Sequence, residues 1–132
     1  MPIWRRVYLT TLVAVMLAAS AGSVTAAEFF RSIDDLPLAP GLTEAVEQGV
    51  QFDSPAGRIV TAVAQSSAGK TPPISTVRAF YRRVLPPLGW IAGAADTYKR
   101  EGERLTLRFE NAGGRIIVRI RLVPAAASPG PK

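Results

Sequence analysis

The stretch Ser75 to Trp90, STVRAFYRRVLPPLGW, constrains the fold more than any other. Apolar residues stand at Val77, Phe80, Tyr81, Val84 and Leu85. That is the i, i+3, i+4, i+7, i+8 stripe of a helix with one buried face. Ser75 occupies the position expected of an N-cap. Pro86 and Pro87 stop the helix, because proline disfavours helical geometry in the residue before it and offers no N–H. Gly89 permits a turn, and Trp90 begins an extended segment. Such a helix needs a sheet to pack on, with Phe80 and Trp90 expected at the contact.

The rest of the chain supplies that sheet. Val50–Asp53 and Arg58–Gln65 flank Ser54-Pro55-Ala56-Gly57, which has turn chemistry. RIVTAVAQ is apolar on both sides of its alternation, as suits a strand inside a sheet. After Trp90, Thr97–Arg100 reads as a short strand, and Glu101-Gly102 as a turn. RLTLRFE (104–110) alternates, with Leu105, Leu107 and Phe109 on one side and Arg104, Thr106, Arg108 and Glu110 on the other. RIIVRIRLV (115–123) alternates again, with Ile116, Val118, Ile120 and Leu122 opposed to Arg115, Ile117, Arg119 and Arg121. The expected order is β-β-α-β-β-β-β, an α+β fold with a mostly antiparallel sheet and one amphipathic helix on one face.

Ahead of this domain, Glu28–Gly49 scatters Phe29, Phe30, Ile33, Leu36, Leu38 and Leu42 without a period, broken by Pro37, Pro40 and Gly41. It reads as an irregular acidic arm over residues 27–49, laid across an α+β domain of residues 50–124. Residues 125–132 read as a disordered tail with nothing to bury. Residues 1–26 have the layout of a secretory signal peptide. Arg5 and Arg6 precede a short apolar run, and small residues follow up to Ala26. The run falls short of the roughly 20 residues of a spanning helix. The expected location is a bacterial periplasm, a setting compatible with a small exported domain that contains no cysteine.

Removing the leader takes away only Arg5 and Arg6, which leaves 14 basic against 10 acidic residues, net +4. Residues 28–57 hold six acids and one base, and the rest holds thirteen bases and four acids. An acidic lead segment can therefore lie on the basic body, or the body can face an anionic partner.

Histidine and cysteine are both absent. A Ser-His-Asp triad, a thiol nucleophile and the usual zinc sets are thereby excluded. No phosphate-cradling glycine motif occurs, and no cofactor is expected. Asp34-Asp35 lacks the alternating oxygen ligands of a calcium loop and reads as an acidic surface turn. Glu101 and Glu103 flank Gly102 and read as salt-paired turn residues; a small carboxylate-dependent hydrolase is the weaker alternative. The chemistry-bearing feature is the basic sheet face, with Arg104, Arg108, Arg119 and Arg121 as the candidate anion-facing residues. Two hairpin registers are open. A four-residue loop sets Arg104 against Arg121, and a two-residue Gly113-Gly114 loop sets Arg108 against Arg119.

Through VRAFYRRVLPPLGW, ERLTLRFENAGGRIIVRI and the lead-in Asp35-Leu36-Pro37, the chain resembles a group of small exported proteins of Gram-negative bacteria. The resemblance spans most of Ile33 to Val123. It implies the same fold and address. Its motifs are packing motifs and imply no catalytic residue. The expected function is a small exported accessory or binding module of the envelope without catalysis. The alternative gives the basic face to anionic lipid or an acidic partner protein. Export argues against nucleic acid as partner.

Overall fold

The computed structural model describes residues 27–125, so the expected signal peptide (1–26) and all but the first residue of the expected tail (125–132) lie outside the described residues. Seven strands form one antiparallel sheet: β1 (Leu42–Glu44), β2 (Val50–Ser54), β3 (Gly57–Ser66), β4 (Ile91–Ala92), β5 (Thr97–Arg100), β6 (Glu103–Ala112) and β7 (Arg115–Pro124). Among the described residues one α-helix, α1 (Ile74–Val84), lies between β3 and β4 in the chain. The strand order is β1-β3-β7-β6-β5-β4, and β2 also pairs with β3. β1 meets the Ala64–Ser66 end of β3 and β2 meets the Gly57–Thr61 end, both on the same side. A 3-10 turn at Val46–Gln48 joins them. The α+β class stands, with one strand more than expected: β1 lies inside the arm.

The arm is also part of the core. Phe30, Ile33, Leu36, Ala39 and Leu42 are buried in the same cluster as the helix and sheet residues. The carbonyl of Leu36 accepts the Phe30 N–H at 2.9 Å, and the carbonyl of Glu28 accepts the Leu38 N–H at 2.7 Å. An arm laid across the core was expected from its many large apolar residues; a folded-back irregular segment buries side chains without repeating in phase.

The helix buries Val77 and Tyr81, and its C-cap residue Leu85 is buried on the same line, each four residues from the last. Phe80 and Val84 flank that line and are half-buried. Phe80 is therefore not the central anchor expected from its position; Tyr81 is. Each residue turns the helix by 100°, so a neighbour of a fully buried position sits on the shoulder. Trp90 is buried as expected, 2% exposed.

Ser75 does not cap the helix. α1 starts one residue earlier, after Pro73, whose carbonyl accepts the Thr76 and Val77 N–H groups at 3.0 and 3.2 Å. Proline there has its φ preset and lacks an N–H that the helix start would leave unpaired anyway. At the other end, Pro86–Leu88 form a 3-10 turn, and Gly89 takes φ 90°, a left-handed geometry suited to glycine.

Gly113 and Gly114 both have positive φ and form a two-residue loop, so the second register expected for β6 and β7 is the one adopted. Leu105, Leu107, Val118, Ile120 and Leu122 then face the helix, with Val60, Ala62 and Ala64 of β3 beside them.

Candidate functional site

Pairing places each outward residue. On the sheet face away from the core, Arg108 stands directly opposite Arg119, Thr106 opposite Arg121, and Arg104 opposite Val123. Arg119 is in turn opposite Val63 of β3, and Arg121 opposite Thr61. The four candidate arginines therefore share one face. Together with Ile59, Thr61, Thr106 and Val123 they line a shallow hollow of about 700 Å³. A second hollow of about 580 Å³ continues it through Arg104 and Thr106 to Thr97, Lys99 and Ile91. No aspartate or glutamate lines either hollow among the described residues.

The electrostatics of this face differ from those elsewhere. Arg58 Nε donates to Glu103 Oε1 at 2.9 Å. That bond raises the Arg58 pKa, against the lowering effect of burial. Arg78 Nε donates to Asp96 Oδ2 at 3.0 Å, and Arg82 reaches the same carboxylate at 3.9 Å. Arg100 pairs with Asp35 at 2.6 Å, donates to the Leu88 carbonyl at 3.1 Å, and stacks 4.2 Å from the Trp90 ring centre. On the outer face, Arg119 meets Glu110 at a looser 3.5 Å with both side chains about half exposed. Arg108 and Arg121 are exposed, and their side chains have no ion pair or hydrogen bond among the described residues. Like charges directly opposed across a strand pair are unfavourable. Nothing in the packing of the core requires arginine at these outward positions.

The acidic residues singled out in the sequence go to clamps. Asp35 ties the arm to the sheet through Arg100, and Glu103 ties the β5–β6 turn to β3 through Arg58. Glu101 is exposed at φ 47° in a turn with Gly102. Glu101, Glu103 and Arg58 border a small hollow of about 360 Å³, where the Glu103 carboxylate already faces the guanidinium. Among the described residues no group of three or more acidic, histidine or cysteine side chains converges as a metal site would need.

Two features, one on the outer face and one at the margin of the inner face, were not legible from spacing. Val50 and Phe52 of β2 register with Thr61 and Ile59, which puts both on this face, 58% and 53% exposed. With Ile59 and Val123 they form an apolar flank beside the arginines. Ile91 of β4 is 73% exposed on the far side. The alternation in VQFDS hinted at one apolar side, but only the pairing with β3 says which face it joins. The second feature is Asp96, which holds Arg78 and Arg82 from a turn where Ala95 and Asp96 both have positive φ. Sequence distance concealed it.

Burial raises the pKa of the Tyr81 hydroxyl well above its ordinary value, while its oxygen accepts the Ala39 N–H at 3.3 Å. Tyr98 is shifted the same way, by burial first and then by the charge of Asp96. Both tyrosines lie on the core side, away from Arg104, Arg108, Arg119 and Arg121. No helix among the described residues is long and apolar enough to cross a membrane. No family model, curated protein or solved structure matches the chain.

Proposed function

We propose that this protein is an exported, non-catalytic binding module whose working surface is the outer face of its sheet, and that its partner carries clustered negative charge. One observation carries the reading. The acids Asp35, Asp96 and Glu103 are each matched to an arginine at the margins of the core, whereas the central outward arginines Arg108 and Arg121 have no acid opposite them. A hollow lined by one sign of charge focuses its field and draws in an oppositely charged group. The hollow favours a projecting acidic segment of a protein over a flat surface. The exposed apolar flank at Val50 and Phe52 favours a second reading, an anionic lipid headgroup with its apolar part laid against the flank.

The address belongs to the same reading. Cleavage of the leader would leave an N-terminus at Ala27 or Glu28, to be read by mass spectrometry of the protein from its native cell. Recovery of the uncleaved chain in the cytosol would overturn the export and return nucleic acid to consideration.

The binding test replaces Arg108, Arg119 and Arg121 with glutamine. Capture of acidic proteins from an envelope extract should be lost in this variant and weakened by salt in the unmodified protein. Co-sedimentation with anionic vesicles, against neutral ones, separates the two partners. Near a membrane each arginine contributes on the order of 1 kcal/mol, so removing three would abolish vesicle binding if lipid is the partner. Equal protein capture together with equal vesicle binding by the variant and the unmodified protein would sink both versions.

A further inference from the structure

Among the described residues the sheet has three edge segments, and they are not equally protected. β4 is only two residues long. β1 is three residues long, and the arm lies beside it: the Glu44 carboxylate accepts the Arg31 N–H at 2.6 Å and the Ser32 hydroxyl at 2.6 Å. β2 has five residues, Val50 to Ser54, of which the first four are exposed. It carries no lysine, no proline and no bulge, and Asp53 is its one charged side chain against edge pairing.

The direction of its free backbone groups follows from the turn. Pro55-Ala56 is a two-residue loop closing the pair Ser54–Gly57, which makes that a hydrogen-bonded pair. Alternation then turns the N–H and C=O of Val50, Phe52 and Ser54 toward β3, and those of Gln51 and Asp53 outward. The same alternation on β3 agrees: the Val63 carbonyl points to this side and accepts the Ala45 N–H at 2.8 Å.

We propose that β2 pairs with β2 of a second copy of this chain, antiparallel about a two-fold axis at Phe52. Gln51 then forms a hydrogen-bonded pair with Asp53 of the other copy, twice, for four backbone bonds. Phe52 meets its own counterpart in a non-hydrogen-bonded pair, where side chains approach closest. Val50 lies across from Ser54.

Charge and hydrogen-bonding capacity select this register over its neighbours. Centring the axis on Asp53 would set two aspartates face to face. Centring it on Gln51 would require the Gly49 N–H, which already donates to the Val46 carbonyl at 3.0 Å. The basic faces do not forbid the contact. With strands about 4.8 Å apart, β7 lies about 12 Å from the axis, so the two Arg119–Arg121 rows are about 24 Å apart. That is well beyond the Debye length of about 8 Å at physiological salt. The pairing is isologous and closed, so it ends at a dimer. It joins the two apolar flanks into one strip with an arginine row on either side.

The test is sedimentation equilibrium of the protein as its native cell delivers it, across a concentration series. A single strand pair buries little area, so half-conversion to dimer is expected near about 0.1 mM. Gln51→Lys places a cation opposite Asp53 of the other copy and should tighten the dimer. Gln51→Glu places two acids together and should loosen it. Each change acts at two equivalent pairs, for roughly two- to thirty-fold in either direction. Gln51 is exposed, and circular dichroism checks that both variants keep the fold. Amide exchange at Gln51 and Asp53 should slow as concentration rises. A protein that stays monomeric up to about 1 mM, or a dimer whose affinity ignores both Gln51 variants, would overturn the proposal.

Discussion

The two faces of the sheet use the same residue type in opposite ways. At the margins of the inner face, Arg58, Arg78 and Arg100 each reach a carboxylate at 3.0 Å or less and hold a turn, the helix or the arm in place. On the outer face, Arg108 and Arg119 sit opposite each other, and Glu110 is the one acid ion-paired to them among the described residues. The inner arginines are fasteners whose charge is spent within the molecule. The outer ones leave positive charge directed at solvent, at some cost in cross-strand repulsion. Counting arginines along the chain does not separate these groups; the position of the acids does.

The sharpest break in the comparison comes from the core. Tyr81→Ala should cost about 3–5 kcal/mol, the range for deleting a core aromatic, and a domain of this size has little stability to spare. Phe80→Ala should cost distinctly less, because Phe80 stands on the shoulder of the helix. Thermal melts of the two variants measure the difference. Equal losses would mean that the helix is rotated from the orientation given above.

Alkaline unfolding tests the same tyrosine through its proton. Its folded pKa is raised above the ordinary 10.0 by burial, so the fold holds the neutral form. The contribution is fully present below about pH 10 and is lost as pH rises above it, by up to about 1.4 kcal/mol per pH unit. Tyr81→Phe removes that term and should flatten the loss. It also removes the acceptor of the Ala39 N–H, at about 1 kcal/mol at neutral pH. An unchanged alkaline profile would show that another group governs it.

A fastening arginine comes next in size. Asp96→Asn keeps a residue that tolerates positive φ but removes the charge facing Arg78 and Arg82. The expected loss is about 1–2 kcal/mol in chemical denaturation. The smallest effect belongs to the outer face. Replacing Arg108, Arg119 and Arg121 with glutamine should leave stability within about 0.5 kcal/mol, or raise it slightly as the opposed arginines cease to repel. A loss as large as that of Asp96→Asn would place these arginines among the fasteners and remove the contrast between the faces.

Much of the fold was legible because its period was local. The alternation in RLTLRFE and RIIVRIRLV placed Arg104, Arg108, Arg119 and Arg121 on one face, and the Val77–Leu85 spacing announced the helix. The choice between two hairpin registers was not local in the same way. Both leave the faces unchanged, and only the conformation of Gly113-Gly114 decides that Arg108 meets Arg119. The arm was read as irregular because its apolar residues repeat with no period, yet they fill one end of the core.

The sequence by itself determined the amphipathic helix and its stop at Pro86-Pro87, the inward and outward sets of the long strands, and the excess of basic charge. Each of these follows from periods of 2 or 3.6 residues or from the fixed φ of proline, which act over one or two turns of chain. Tertiary structure alone decided which arginines are neutralised. Arg58 finds Glu103 across 45 positions and Arg78 finds Asp96 across 18. It also decided that Val50 and Phe52 join the basic face and that β2 is an edge with no further strand beside it among the described residues. Those outcomes depend on which strands lie side by side, and an ion pair or a strand edge is defined by a neighbour in space that spacing along the chain does not specify.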